Sequence, residues 1–293
     1  MAENPGRLDL RGAAILVILC ASWGLNQAFM KLAYTDISPV LSSALRSALA
    51  GLCLLGWCLH KGYRLWEPGL SWLHAAAISF FFTVEFVFLY IGMDLTLASR
   101  GAVLLYTQPF FTALLAHLFV SGDRLNLSRS IGLSLAFAGV ALVLGGRPAG
   151  GEARLVGDLF CVVAGLCWGC TNVYVGRMLV GRVRFEQILF WQLAPSAPVL
   201  AVASLFLERP FLHLTWALTG NLLYQAVAVA FVSYLIWFSM FKRYRVTVLG
   251  AFTFMAPIFG VIASWLTMAD PLTWGLLLGL GGVSVGVWLV NRG

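Results

Sequence analysis

The sequence predicts an all-α integral membrane protein whose ten transmembrane helices form two inverted five-helix repeats. Three observations support this prediction. Of 293 residues, 60% are hydrophobic and 11% are charged, and the mean hydropathy is +0.89; soluble domains carry about 25% charged residues. Short motifs recur at a nearly constant distance along the chain. Lysine and arginine are concentrated in alternate connections between apolar stretches, as the positive-inside rule requires.

Single residues of the first half recur in the second half. The pair Trp23-Gly24 returns as Trp168-Gly169, which is a shift of 145 residues. The other recurrences are Pro109 as Pro257 (148), and Asp123 as Asp270, Gly132 as Gly279 and Gly139 as Gly286 (147 each). Each half has five apolar spans, so the second copy must enter the membrane in the opposite orientation. We therefore predict two repeats, residues 1–150 and 151–293.

The ten predicted spans each approach the length of about 20 residues that crosses a hydrocarbon core. The first reads as a retained span, because its apolar run is too long for a signal peptide and no clear cleavage site follows. A Pro- and Gly-containing linker, residues 147–154, joins the repeats. The predicted spans are residues 12–34, 39–60, 71–93, 98–120, 128–146, 156–179, 186–207, 214–240, 246–268 and 272–290.

The basic residues predict the orientation. With the N-terminus inside, thirteen lie on the inner side and five on the outer side, and Arg46 lies within a span. We therefore predict a multi-pass protein of the plasma (inner) membrane with both termini cytoplasmic. The inner residues are Arg7, Arg11, Lys61, Arg64, Arg124, Arg129, Arg177, Arg182, Arg184, Lys242, Arg243, Arg245 and Arg292, and the outer ones are Lys31, Arg100, Arg147, Arg154 and Arg209.

Two ionisable residues lie deep within predicted spans, Arg46 in the second and Glu85 in the third. Charged groups at this depth are costly and are usually paired or functional. Both lie about seven residues from the predicted outer ends of their antiparallel spans, so we expect them at similar depth. They could form a structural ion pair, or they could face a cavity and meet the amine or carboxylate of a substrate.

The first and sixth spans carry an aromatic residue followed by an amide. Trp23 precedes Asn26, and Trp168 precedes Asn172 one helical turn later. This repetition suits the wall of a symmetric cavity. Hydrogen bonding between helices is the alternative, because amides in lipid require partners.

Prolines interrupt the fourth and ninth spans at equivalent positions, Pro109 and Pro257. Proline removes a backbone donor and kinks a helix. The two kinks are candidate hinges for alternating access, and static bends are the alternative. Tyr106 shares a face with the first kink and is a candidate for the cavity wall.

Two further aromatic residues are candidate binding residues. Tyr234 belongs to an aromatic stripe in the eighth span, and Trp191 lies close to Pro195 and Pro198 in the seventh. A tyrosine far from a helix end needs a partner for its hydroxyl. Packing is the alternative role for both residues.

The last span carries four glycines at helical spacing, Gly275, Gly279, Gly282 and Gly286. Small residues allow close approach of a neighbouring helix. We expect packing within the chain, with a dimer interface as the alternative, and so a monomer or weak dimer.

Enzyme signatures are absent from the sequence. It contains no Walker loop, no H-E-x-x-H pair and no G-x-S-x-G elbow, and its four histidines have no metal spacing. The C-x-x-C match at Cys167 and Cys170 lies within a span and lacks a second pair. We predict no catalytic residue, cofactor or metal. The formal charge of +7 lies in short loops, which indicates membrane topology rather than nucleic-acid binding.

The pattern as a whole resembles the drug/metabolite transporter superfamily, EamA type. The resemblance is carried by the early Trp-Gly pair and by an acidic motif followed by two glycines near the end of each half. These endings are Gly122-Asp123-Arg124-Leu125 with Gly132 and Gly139, and Asp270-Pro271-Leu272 with Gly279 and Gly286. Both acids are Asp where the family usually has Glu. The resemblance implies export of amino acids and other metabolites, and the aromatic-rich spans look most like the aromatic amino-acid exporters of the YddG type.

Together these observations predict a secondary transporter whose substrate site lies at the midplane, between the inverted repeats. Its expected substrates are amino acids, aromatic ones favoured, and related small metabolites. The alternatives are a nucleotide-sugar or sugar-phosphate exchanger of the same superfamily and a non-transporting membrane protein. An exchanger of doubly anionic substrates should need several basic residues in the cavity, and only Arg46 and Lys31 are candidates.

Overall fold

A computed structural model describes residues 9–66, 69–120, 126–146, 155–240, 243–244, 249 and 252–292. This part of the chain forms ten apolar helices, eight of them long enough to cross a membrane and two shorter. The predicted fold class is confirmed. The helices are α1 Leu10–Ala33, α2 Pro39–His60, α3 Trp72–Leu95, α4 Ala98–Phe119, α5 Leu127–Gly145, α6 Leu155–Met178, α7 Phe185–Leu207, α8 Trp216–Met240, α9 Met255–Met268 and α10 Trp274–Arg292.

Several residues used in the sequence argument lie outside the described ones. They include Asp123 with its motif at 122–125, the linker at 147–154, and most of the segment that precedes α9. The predicted ninth span begins at residue 246, whereas the described helix α9 begins at Met255.

The most extensive helix contacts join the two halves of the chain. They are the pairs α5–α10, α3–α6, α2–α7 and α1–α9, and each combines one helix from each half. The apolar faces of each half are therefore covered mainly by the other half. This interleaving places any space between the repeats at the centre of the molecule.

The repeated Trp-Gly motif has a packing role that the sequence did not show. A Cβ atom on Gly24 would lie 2.6 Å from the Ala256 carbonyl oxygen on α9, and one on Gly169 would lie 2.9 Å from Phe111 Cβ on α4. The first helix of each half thus packs closely on the fourth helix of the other half. Only glycine permits this approach.

The glycine face of α10 packs against α5 in the same chain. A Cβ on Gly139 would lie 2.7 Å from the Gly279 carbonyl oxygen, and one on Gly286 would lie 2.6 Å from that of Gly132. The intrachain alternative is therefore the one observed for this face.

Two helices are irregular near the centre of the molecule. Helix α4 is interrupted at Tyr106 and Thr107, directly before Pro109, and resumes at Gln108. In α8, residues Tyr224–Ser233 adopt π-helical hydrogen bonding. π-Helical turns are rare and are often found at functional sites.

Because ten helices alternate in direction, both ends of the described chain lie at one face. We call this the terminal face, marked by the start of α1 and the end of α10. The opposite face, where α3 ends and α4 begins, is the distal face.

Candidate functional site: a cavity between the two repeats

A cavity of about 450 Å³ lies between the two halves. Ligand sites typically occupy about 300–1,000 Å³. Helices of both repeats contribute to its wall, as expected for a site at a repeat interface. The lining residues are Trp23, Asn26, Gln27, Met30, Arg46, Glu85, Phe86, Leu89, Leu105, Tyr106, Gln108, Pro109, Thr112, Ala113, Ala116, Arg129, Trp168, Asn172, Val229, Tyr234, Trp237, Phe238, Thr253 and Val290.

The cavity extends to the terminal face. Five lining residues lie within three residues of helix ends there: Ala116 on α4, Arg129 on α5, Trp237 and Phe238 on α8 and Val290 on α10. On the distal side, Met30 is the lining residue that comes this close to a helix end. The cavity therefore has its mouth at the terminal face and a blind end toward the distal face.

Polar contacts close the distal face above the blind end. The Lys31 ammonium donates to the Met93 carbonyl oxygen at 2.9 Å and also to that of Thr96, which ties α1 to the α3–α4 connection. The Tyr90 hydroxyl donates to Gln225 Oε1 at 3.0 Å, which ties α3 to the π-helical segment of α8. The Lys31 bonds lie within the first half, and the bond between Tyr90 and Gln225 joins the two halves.

A buried ion pair adds to this closure. Arg100 Nη2 lies 2.6 Å from Asp158 Oδ2, and Arg100 Nε donates to Asp158 Oδ1 at 3.1 Å. Thr96 also donates to Asp158 Oδ1, at 2.6 Å. Because both charged side chains are nearly inaccessible to solvent, this bidentate pair fixes the start of α4 to the start of α6.

Helix starts at the distal face are capped by acids from the other half. Asp270 Oδ2 accepts the Ser99 amide at 2.9 Å, and Glu208 accepts the amides of Val40 and Leu41 at 3.0 and 2.9 Å. Carboxylates are favourable at helix N-termini, where backbone donors lack partners.

The terminal face is also joined by bonds between the two halves. The buried Gln187 donates through Nε2 to the Arg64 carbonyl oxygen, and Arg177 donates through Nη1 to that of Phe119 at 2.6 Å. A more exposed contact lies at the start of α1. The Tyr244 hydroxyl donates to Asp9 Oδ1 at 2.6 Å, in front of α1. This hydrogen bond holds the pKa of the Asp9 carboxyl below its usual value. The contact lies in solvent, where such pairs contribute little to stability.

Arg46 and Glu85 both line the cavity and are nearly inaccessible, at 4% and 5% exposure. They do not form an ion pair within 4.0 Å, so the structural pair that was one alternative is not made in this conformation. Arg46 instead lies over the Phe86 ring at 4.7 Å. Within the described part of the chain, Arg46 Nε and Nη1 have no hydrogen-bond partner.

Two neighbouring amides of α1 also lack partners for their oxygens. Asn26 Oδ1 and Gln27 Oε1 are buried and accept no hydrogen bond from a described residue, while Asn26 Nδ2 contacts the Met30 sulfur at 3.3 Å. Buried polar atoms are normally satisfied, so each exception needs an explanation. Here both amides belong to side chains that line the cavity.

Aromatic rings form much of the remaining wall. Trp23 donates its indole N–H to Ser233 Oγ at 2.8 Å, and its ring lies 6.1 Å from that of Tyr234 and 5.2 Å from that of Trp237. Tyr106 lies 6.1 Å from Trp168 in an edge-on arrangement. These contacts hold the rings in fixed orientations around the cavity.

The structure brings together most of the residues predicted as a site. Trp23, Asn26, Arg46, Glu85, Tyr106, Trp168, Asn172, Tyr234 and the candidate hinge Pro109 all line the cavity. Their roles toward a substrate remain predictions.

Two predicted residues lie elsewhere. Trp191 donates to the Leu65 carbonyl oxygen at 2.8 Å and packs on Trp66 and Trp72, near the terminal face. Pro257 is buried in the first turn of α9 and does not line the cavity. The positions of Trp191 and Pro257 depend on how neighbouring helices pack, which the sequence of a single helix does not show.

The sequence argument missed Gln27, although it chose its neighbour Asn26. The sequence made no prediction for Gln27, and its side chain also reaches the cavity because α1 is covered on several sides by other helices. The buried pair of Arg100 and Asp158 was also missed: Arg100 was counted among the outer basic residues, and no prediction was made for Asp158. Their distance of 58 residues in sequence gave no signal.

The described residues contain no group of three or more His, Cys, Asp or Glu side chains placed to hold a metal ion. The residues that line the cavity offer hydrogen bonds, charge and aromatic contact.

Comparison with known proteins agrees with this architecture. A sequence model of the EamA-like transporter family matches twice, at residues 10–145 and 155–292. The chain is 27% identical to "Uncharacterized transporter YvbV" of Bacillus subtilis over 96% of this chain and 92% of that protein. It is 25% identical to "Probable amino-acid metabolite efflux pump" of Escherichia coli over 94% of this chain and 92% of that protein.

A solved crystal structure shares the fold, with a TM-score of 0.66, 20% identity, and coverage of 94% of this chain and 97% of the other. The two matches to the family model coincide with the two sets of five helices, and together they cover nearly the whole chain. The chain therefore belongs to the EamA-like transporter family and is a multi-pass membrane transporter rather than an enzyme.

Proposed function

We propose that this transporter exports amino acids, aromatic ones favoured, and related small metabolites by alternating access. In this proposal it lies in the plasma (inner) membrane with both termini cytoplasmic, so the cavity opens to the cytoplasm. The observation that carries the proposal is the presence of one buried base and one buried acid, Arg46 and Glu85, in an aromatic cavity without an ion pair between them.

A zwitterionic amino acid supplies an oppositely charged partner for each of these two residues. Its carboxylate matches the guanidinium of Arg46, for which charge-assisted bidentate bonds are favourable. Its ammonium group matches the Glu85 carboxylate. An isolated buried charge is costly, so a ligand that pairs both charges stabilises the loaded cavity.

The aromatic wall favours an aromatic side chain. Trp23, Tyr106, Trp168 and Tyr234 offer ring faces and edges, and each aromatic contact contributes about 0.5–1.5 kcal/mol beyond the burial of its area. The similarity to a probable amino-acid metabolite efflux pump supports the same substrate class.

Exchange of nucleotide sugars or sugar phosphates has less support. Such substrates carry two negative charges, and the described cavity wall offers two arginines, Arg46 at the blind end and Arg129 at the mouth. Lys31, the other candidate, does not line the cavity and is bonded to backbone carbonyls of the distal face. A phosphate bound at one end would leave the buried Glu85 without a positive partner.

The test is flux from proteoliposomes that contain purified protein. Labelled phenylalanine or tryptophan should leave them faster than it leaves protein-free liposomes, whereas a nucleotide sugar should not. Glu85→Gln should fold normally and lose most of the phenylalanine flux. Glu186→Gln is the matched control, because Glu186 is an acid in the first turn of α7 outside the cavity. Phenylalanine rates equal to those of empty liposomes would reject the proposal.

A further inference from the structure

We propose that the amino-acid head group binds at the blind end of the cavity and that the side chain points toward the mouth. This inference rests on the proposed function. It adds a direction to the bound substrate and assigns selectivity to the α-amino and α-carboxylate groups rather than to the far end of the side chain.

One polar layer lies in the distal half of the cavity and consists of Asn26, Gln27, Arg46 and Glu85. Arg46 is seven residues from the start of α2 at Pro39, and Asn26 is seven residues from the end of α1 at Ala33. Glu85 is ten residues from the end of α3. At 1.5 Å per residue, these side chains originate about 10–15 Å below the distal helix ends.

The bonding capacity of this layer matches a zwitterion. An ammonium group has three donors, and the layer offers the Glu85 carboxylate together with the partnerless oxygens Asn26 Oδ1 and Gln27 Oε1. A carboxylate accepts only, and Arg46 Nε and Nη1 are partnerless donors. Leaving such buried groups unsatisfied is unfavourable, so a ligand that satisfies both sets gains affinity.

Aromatic residues lie both at this depth and toward the mouth. By the same measure Tyr106 and Trp23 originate about 12 and 15 Å from the distal ends, level with the polar layer. Polar groups such as Asn172 and Arg129 also lie on the mouth side.

Trp168 is thirteen residues from the start of α6 at Leu155, which places it about 20 Å from the distal end. Phe238, Ala116 and Val290 follow at the mouth itself. Polar head groups placed at the mouth would leave the acceptors and donors of the blind end unpaired.

Two consequences follow from this direction. A ligand that lacks one of the two head groups should bind poorly. A site whose buried groups form hydrogen bonds with that head group strongly rejects an analogue that lacks it. A ligand with a longer side chain should still bind, because its extra atoms reach the open mouth.

The experiment measures how unlabelled compounds inhibit phenylalanine flux in proteoliposomes. N-acetylphenylalanine, phenethylamine and 3-phenylpropionate each lack one charged head group, whereas O-benzyltyrosine keeps both and extends the side chain. We expect the first three to inhibit at least about tenfold more weakly than phenylalanine, and O-benzyltyrosine to inhibit within about threefold of it.

Variants assign each head group to its residues. Gln27→Leu should reduce the difference in inhibitory strength between phenylalanine and 3-phenylpropionate, which lacks the ammonium group. Arg46→Gln should narrow the difference between phenylalanine and phenethylamine, which lacks the carboxylate, and Arg46→Lys gives a second variant if Arg46→Gln does not fold. The control Arg209→Gln, on an exposed connection outside the cavity, should leave both differences unchanged.

The outcomes separate this inference from the proposed function. If the wild type does not transport phenylalanine, both fail. If it transports phenylalanine but N-acetylphenylalanine and phenethylamine inhibit as well as phenylalanine does, the function stands and the inferred direction is wrong. If O-benzyltyrosine does not inhibit while N-acetylphenylalanine, phenethylamine and 3-phenylpropionate inhibit as well as phenylalanine does, the side chain lies at the blind end.

Discussion

The distal and terminal faces of this transporter differ in how their helices are joined. At the distal face, a bidentate ion pair, a lysine on backbone carbonyls and two carboxylate caps connect buried groups of different helices. At the terminal face, the cavity reaches the helix ends, the bonds beside its mouth go to backbone carbonyls of helix ends and connections, and no ion pair joins the described residues.

Much of the free energy that closes the cavity lies in the contacts of the distal face. Alternating access requires two states of similar free energy, because a state favoured by many kcal/mol would not open. Closure of the distal face must therefore be offset by comparable contacts at the terminal face in the opposite state. Changes to the distal contacts should shift that balance in proportion to their strength.

The largest expected effect comes from the buried ion pair. Arg100→Met leaves the Asp158 carboxylate buried without its partner, and removing one member of such a pair costs about 3–5 kcal/mol. The purified variant should unfold at a markedly lower temperature and yield less folded protein. Arg209→Met, at an exposed position, provides the control. An unchanged melting temperature for Arg100→Met would show that the pair does not stabilise the fold.

A smaller effect is expected at Lys31, which ties α1 to the α3–α4 connection. Lys31→Met removes charge-assisted hydrogen bonds, each worth about 1.5–3 kcal/mol, while keeping the length of the side chain. The distal face should open more often, so backbone amides around residues 93–99 should exchange hydrogen faster. Exchange as slow as in the wild type would mean that Lys31 does not hold this face closed.

The prolines sharpen the comparison by testing motion between the faces. Pro109 follows the interruption of α4 at residues 106–107, and Pro257 lies in the first turn of α9 after a turn at residues 253–254. We predict that Pro109→Ala or Pro257→Ala supplies a backbone donor that lets the helix extend across the turn before it and so stiffens that segment. Flux should fall about tenfold, equivalent to a barrier about 1.4 kcal/mol higher, while phenylalanine binding survives. Normal flux in a variant that carries both substitutions would show that neither proline acts as a hinge.

The smallest effect is expected for the bond between Tyr90 and Gln225. Tyr90→Phe removes one neutral hydrogen bond across the distal end, worth about 0.5–1.5 kcal/mol. Hydrogen exchange at residues 221–225 should rise by a small factor without loss of folded protein. Loss of folding would show that the hydroxyl has a structural role beyond this closure.

The fold was predictable because a membrane-spanning helix can be recognised from the apolar composition of its own short segment. The spans, the repeat and the proline interruption of α4 each follow from short stretches of sequence and from a nearly constant shift along the chain. The π-helical segment at Tyr224–Ser233 was not predictable, because it depends on the packing of α8 against its neighbours. No residue in that segment marks it in advance.

The site was predictable in part, for a related reason. Arg46 and Glu85 were identified because charges inside an apolar span are conspicuous. The placement of Trp191 on the α2–α3 connection, and the unsatisfied oxygen of Gln27, depend on which neighbour covers each face of a helix. Such coverage is a property of the assembled bundle rather than of any one span.

The most direct test of the central claim is counterflow of phenylalanine in proteoliposomes. Vesicles are loaded with unlabelled phenylalanine and diluted into a trace of the labelled amino acid. A carrier that opens alternately to each face exchanges the two, so label should accumulate transiently in wild-type vesicles and not with Glu85→Gln. Absence of accumulation above protein-free vesicles, with folded wild-type protein present, would contradict the account.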